Sequence, residues 1–476
     1  MSRLYSAAAA RRRTTRANRT RVERGGGVSA ERFAATIQDA LGGPSDRVAL
    51  AFAGTGALPS AFPVTDLAAG SIAAAGLAIA DLVGTAPGVT VDRRLASLWF
   101  RTSLRPIGWA LPAPWDPVAG DYCTRDGWIR LHTNAPHHRA AAERVLGAQS
   151  DRDGMALAVA GWDKAALEAA IVAEGGCAAE MRSIAAWAAH PQGAAVAEEP
   201  LVGFDPAAPA STAWRPRPDR PLAGLRVLDL TRVLAGPVAT RFLAGYGAEV
   251  LRVDPPDWNE PAIEPDVTLG KRCARLDLRR GADRAVFEAM LAGADLLLHG
   301  YRPEALDRLG YGAVARRALA PGLIDVRLDA YGWTGPWAGR RGFDSLVQMS
   351  CGIAEAGQAW RGADRPVPLP VQALDHATGY LLAAAAIRLV ARRLQDGVAG
   401  GARLSLARTA QLLLDTEPTA SAGELAPESD GDFSAAVEAT AWGPAHRLRP
   451  PLAIDGAPMA WPLPARRLGT DRPAWV

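Results

Sequence analysis

An aspartate stands where a proline-stiffened segment gives way to an apolar helix. Pro366, Pro368 and Pro370 hold the chain extended, Asp375 follows, and an Ala/Leu/Ile-rich run then carries Arg388, Arg392 and Arg393 towards its far end. A capping residue, an apolar body and cations near the negative pole of the dipole are the marks of a helix start and stop. The ordinary reading of Asp375 is an N-cap. The chemical reading is a carboxylate at the positive end of a helix, desolvated on one side and aimed at an electrophile. Such a group is ionised at neutral pH and needs no partner base. Lys271 and Arg272 offer a second chemistry, since a point charge and a planar fork suit phosphate. His376 adjoins Asp375, but successive side chains on a helix diverge, so it reads as packing.

Several chemistries are disfavoured. The turn TRVLAGP after the strand LAGLRVLDL lacks the Gly-x-Gly-x-x-Gly of dinucleotide binding. No P-loop and no Gly-x-Ser-x-Gly elbow occur. Cys123, Cys177, Cys273 and Cys351 lie far apart, without metal-ligand spacing, which predicts no metal and a reducing, cytoplasmic setting. The net charge of +3 is misleading. Residues 1–27 hold eight arginines and one glutamate, leaving 45 basic against 49 acidic residues elsewhere. The body is mildly acidic, so no nucleic-acid partner is expected, and 1–27 reads as a basic disordered tail. The Ala-rich stretch from Ala68 to Val83 is broken by Asp81 and two glycines, and predicts a core helix and no membrane span.

The elements that must position Asp375 follow from pattern. In 476 residues there is room for two or three domains. Residues 28–115 contain FPVTDLAAGSIAAAGLAIADLV, a faint copy of the Asp375 segment, with Gly70 four residues after Asp66 as Gly379 is after Asp375. Asp66 reads as a cap only. Residues 116–213 read as a small α+β domain, opened by a hairpin at Asp126-Gly127 and including helices around His138 to Leu146 and Lys164 to Glu174. After the linker Trp214 to Pro218, residues 214–476 alternate strand and helix with short links. The fold class predicted is α/β: an open, largely parallel Rossmann-like sheet with a smaller α+β domain placed before it. Ligands then bind beyond the carboxyl ends of strands, at Thr231 to Gly236, Asp254-Pro255, Gly300-Tyr301 and Tyr331 to Gly335.

From 221 to 410 the text PLAGLRVLDLTRVLAGPVATRFLAGYGAEVLRVD, GKRCARLDL, ADLLLHGYRPEALDRLG, AYGWTGPWAGRRGFDSLVQMSCG and VQALDHATG resembles, in order, the motifs of the family III coenzyme A transferases. Residues 120–200 resemble that family's small domain. The resemblance implies that Asp375 is the catalytic aspartate, passing through an acyl anhydride and an aspartyl-CoA thioester. It implies that Val233 and Ala235 line the coenzyme A site, that Tyr301 lies near adenine and that Arg308 lies near the phosphates. Leu234 and Gly300 depart from the glutamine and asparagine usual there. Coenzyme A is then a co-substrate with no tightly bound cofactor, and the partners are an acyl-CoA and a carboxylic acid. The family's interlocked dimers imply a homodimer or, with the repeat ahead of the large domain, an internal pseudo-dimer. Rival functions are an acyl-CoA racemase, whose histidine is Phe343 here beside Asp344, and a non-catalytic CoA-binding protein. Acyl specificity is expected from the small domain and from Ser350 to Gly357.

Overall fold

The computed structural model describes residues 30–43, 48–84, 87–416 and 423–476. The basic tail 1–27 lies outside the described residues. At the centre is a seven-stranded sheet in the order Lys271–Arg275, Glu249–Asp254, Arg226–Leu230, Leu296–His299, Ile324–Asp329, Gly401–Ser405, Gly203–Phe204. The first six are parallel and Gly203–Phe204 is antiparallel at the edge. These strands are buried on both faces, as a parallel sheet requires, and alternate residues serve two cores. Val227, Leu296, Leu298 and Val326 pack on the side of the helix Ala373–Gln395, while Leu228, Leu230, Leu251 and Leu297 pack with Phe287 and Leu291 of the opposite helix layer. The strand order reverses between Arg226–Leu230 and Leu296–His299, which opens a crevice at their carboxyl ends.

The 23-residue helix Ala373–Gln395, here the aspartate helix, is buried along nearly its whole length. One side packs against the helix Ala235–Gly245 and another against Val64–Val83. A Cβ on Gly379 would stand 2.5 Å from the Ala235 carbonyl oxygen, so only glycine permits this approach. The repeat is visible in three dimensions. A Cβ on Gly70 would stand 2.9 Å from the Ala30 carbonyl oxygen, where the helix Ala30–Ala40 crosses Val64–Val83 as Ala235–Gly245 crosses the aspartate helix. Each long helix is then followed by a short strand and a capped helix. Asp92 caps Arg93–Trp99 and Ser405 caps Leu406–Leu414.

Strand pairing and ion pairs join the stretches 28–115 and 214–476, which were expected as separate segments. Val89–Asp92 lies between Leu50–Ala53 and the C-terminal strand Leu452–Ile454, and Leu104–Pro106 pairs with Gly443–Leu448. Asp266 accepts from Arg241 at 2.7 Å and from Arg447 at 3.2 Å, and also receives the Ser103 hydroxyl. Arg388 of the aspartate helix bonds Gln38 at 2.7 Å and pairs with Asp81. The reason is hydrophobic: Val64–Val83 is apolar all round, long enough to cross a membrane by composition alone, and can be covered only by other parts of the chain. The small domain consists of the sheet Gly120–Thr124, Gly127–Leu131, Ala178–Glu180 with helices Pro136–Leu146, Arg152–Ala160 and Lys164–Ala173 around it. Residues 200–213, expected to close that domain, instead give Gly203–Phe204 to the large sheet and pair Ala208–Pro209 with Val398–Ala399.

Candidate active site

A cavity of about 350 Å³ opens at the carboxyl ends of Arg226–Leu230, Leu296–His299 and Ile324–Asp329, where the strand order reverses. Asp375, Val233, Ala235 and Tyr301 line it. Asp375 is not the N-cap. Gln372 holds that position without a side-chain cap bond, and Asp375 is the third residue of the helix. Capping is done from elsewhere: the Asp375 backbone N–H donates to Asp344 Oδ2 at 2.9 Å. Asp344 is itself buried and also receives the Gln348 side-chain amide. The Asp375 carboxyl is thus relieved of the usual local duty of an aspartate at a helix start and lines the cavity instead.

Electrostatics make this a strained pair. Burial, and then the neighbouring Asp344 charge, push the Asp375 carboxyl well above the ordinary carboxylate range, opposed by the Ala235 backbone amide. Burial pushes Asp344 up to about 6. A carboxylate so desolvated is a better nucleophile once ionised, because water no longer screens its lone pairs.

The turn facing Asp375 is held in an uncommon shape. Val233 has φ +63°, the one non-glycine residue at positive φ among the described residues, and it is β-branched. Its N–H donates to Glu260 Oε2 at 2.9 Å; Glu260 in turn pairs with Arg252 and accepts from Trp258 Nε1 at 3.0 Å. This buried brace fixes the start of Ala235–Gly245 beside the aspartate helix. Arg232 in the same turn bonds the Tyr301 hydroxyl at 2.7 Å and lies over the Trp258 ring at 4.9 Å. Arg232, Arg302 and Arg341 make the cavity wall cationic.

Three expected phosphate contacts are elsewhere. Lys271 is fully buried, its Nζ 3.1 Å from Asp229 Oδ2 and 2.9 Å from the Pro237 carbonyl oxygen. A cation with no water contact and a paired carboxylate belongs to the sheet interior and cannot reach a ligand. Arg272 donates to the carbonyls of Ala474 and Arg472 and secures the C-terminal segment. Arg308 is exposed, pairs loosely with Glu304 at 3.5 Å and does not line the cavity. Arg302, at the N-cap of the same helix, does line it; the Arg-Pro pair at that helix start is the one sequence signal that could have singled it out. Phe343, read from sequence as standing at the racemase histidine position, also lines the cavity, as does His138, which was not among the expected site residues. Nothing local in sequence marks His138, because it meets Phe343 only through the fold. In the first copy Asp66 is ion-paired with Arg93, the first residue of the helix whose counterpart, Leu406, lines the cavity.

Among the described residues no group of His, Cys, Asp and Glu is arranged to hold a metal ion. Residues 222–441, which carry the crevice, the turn and Asp375, match CoA-transferase family III. Over these residues the chain is similar to that family. It is 35% identical over 205 residues to the acetyl-coenzyme A transferase nodX of Hypoxylon pulicicidum, covering 40% of this chain and 35% of that protein. It is 33% identical over 196 residues to the probable fatty acyl-CoA transferase Rv3272 of Mycobacterium tuberculosis, covering 38% and 49%. A crystal structure of Rv3272 aligns with TM-score 0.39 and 32% identity over 42% of this chain and 57% of that one. The chain thus spans about a third to a half of the length of these curated relatives. Its helix Ala373–Gln395 starts at the cavity at the reversal point of the seven-stranded sheet. A second long helix, Val64–Val83, precedes the sheet in the chain.

Proposed function

We propose that this chain transfers coenzyme A from an acyl-CoA to a carboxylic acid, with Asp375 as nucleophile. The observation that carries the reading is that Asp344 takes over the capping of the aspartate helix and leaves the Asp375 carboxyl on the cavity wall. An Asp375 oxygen attacks the thioester carbonyl; the carbon–sulfur bond breaks and the thiolate leaves, giving a mixed anhydride. The thiolate then attacks the aspartyl carbonyl and expels the donor's carboxylate, leaving an aspartyl-CoA thioester. The acceptor carboxylate attacks that thioester, and the thiolate released takes the acceptor acyl group, restoring Asp375. No water, redox equivalent or net proton is consumed. Every intermediate is open to hydrolysis, so a buried nucleophile has a clear use. The Ala235 amide, beside the carboxyl, is placed to stabilise oxyanions, worth about 3 kcal/mol for one donor. Val233, Ala235, Tyr301, Arg232 and Arg302 form the surface offered to the nucleotide end of coenzyme A.

The racemase alternative needs an imidazole to move a proton, and Phe343 supplies none. His132, stacked on Phe343 at 3.7 Å, and His138 are both pushed down to about 3 by burial, so both are neutral, weak bases, ill suited to take the α-proton. The helix Val64–Val83, packed on the aspartate helix, supports reading the chain as an internal pseudo-dimer with one working centre. The test is an acyl-CoA panel with isotopically labelled acceptor acids. Label appearing in the acceptor's CoA ester supports transfer; loss of α-carbon chirality alone assigns a racemase, and binding without turnover assigns a CoA-binding protein.

A further inference from the structure

Resting on the transferase reading, we propose that His138 determines specificity, donating a hydrogen bond to an oxygen substituent on the acyl chain beyond the thioester carbonyl. The small domain brings His138 to the cavity that Asp375 lines. The ring is 5% exposed, and neither Nδ1 nor Nε2 has a hydrogen-bond partner among the described residues. Buried polar side chains are nearly always paired, so an imidazole unpaired at both nitrogens on a cavity wall marks where a ligand supplies the partner.

Its position is fixed by packing. His138 is the third residue of Pro136–Leu146; the His137 ring lies 4.1 Å away and the Phe343 ring meets it edge-on at 5.7 Å. Phe343 is also stacked face-on by His132, and it immediately precedes Asp344, the residue bonded to the Asp375 amide. The imidazole is therefore placed by the same short segment that places the nucleophile. Burial and the nearby Arg341 and His137 charges keep the ring neutral, with one N–H to donate and one nitrogen to accept. The cationic wall of Arg302 and Arg341 further favours an electron-rich substituent. A hydroxyl or a carboxylate oxygen meets both conditions, and a plain alkyl chain meets neither.

The experiment is calorimetric binding of butyryl-CoA, 3-hydroxybutyryl-CoA and succinyl-CoA to the full chain with no acceptor acid present. Wild-type protein is expected to bind at least one oxygenated ester about tenfold more tightly than butyryl-CoA, the worth of one good hydrogen bond. Preference for both oxygenated esters assigns a simple acceptor site, and preference for succinyl-CoA alone assigns a carboxylate site. His138→Phe, which keeps the ring contact with Phe343, should abolish the preference and leave butyryl-CoA affinity in place. His138→Gln, which restores an N–H donor, should recover it. Equal affinities in the wild type overturn the inference without any variant, as does a preference that survives in His138→Phe. Failure of every CoA ester to bind would overturn the transferase reading as well, which separates the two failures.

Discussion

The backbone N–H of Asp375 and the carboxylate of Asp344 are 2.9 Å apart, donor to acceptor, so two buried acids meet at the start of one helix. The negative charge on Asp344 opposes ionisation of Asp375 and raises its pKa. Replacing Asp344 by Asn keeps an oxygen for the amide and removes the charge. Because transfer needs ionised Asp375, the acid limb of the kcat/KM profile should move to lower pH in Asp344→Asn. A limb that stays in place would show that the Asp344 charge is not felt at the nucleophile.

Asp375→Asn should abolish transfer and make the protein more stable. A carboxyl whose folded pKa lies above its unfolded value binds more protons when folded, so its contribution falls as pH rises through that interval. At neutral pH the buried charge is a cost that an amide removes. Thermal unfolding should show a larger gain at about pH 8 than at about pH 5. A loss of stability at both would contradict the desolvated-carboxylate account.

Asp66→Ala should leave turnover nearly unchanged. Asp66 has an ion-pair partner in Arg93, at the start of the following helix, and both side chains are largely shielded. Burial outweighs Arg93 and raises the Asp66 carboxyl above its ordinary value, so the unfolding free energy should change by less than about 1 kcal/mol in either direction, read by denaturant unfolding. A collapse of rate in a folded variant would make the first copy catalytic.

Lys271→Ala should unfold or severely weaken the protein, by about 3–5 kcal/mol, because it leaves Asp229 charged and unpaired inside the sheet. Asp229 receives Thr231 and Thr240 as well, so the loss reaches the turn below Val233. Urea titration checks this. A stable variant with a raised KM for coenzyme A would return Lys271 to the ligand.

The sheet was readable because buried parallel strands are continuous apolar runs, as in Val227-Leu228 and Leu296 to Leu298, joined by short links that fix their alternation with helices. The reversal crevice followed from that alternation. Lys271 was not readable: a lysine after Gly270 looks like any surface cation, and its burial depends on Asp229, 42 positions earlier. Local pattern likewise made Asp375 a cap, because the residue that displaces it from that duty, Asp344, lies 31 positions away. Val233 breaks a backbone preference outright, and such breaks are legible only in three dimensions. The pairing between the first segment and the C-terminal strands was hidden for a related reason. Val89–Asp92 finds its partner in Leu452–Ile454, and no window of sequence spans that distance.

The most direct measurement is peptide mass spectrometry after the protein is incubated with an acyl-CoA and trapped with hydroxylamine. Reaction through an aspartyl anhydride or thioester predicts a hydroxamate on the peptide containing Asp375, and none on the peptide containing Asp66. Turnover accompanied by an unmodified Asp375 peptide, or by trapping at another carboxylate, would contradict the assignment of the nucleophile.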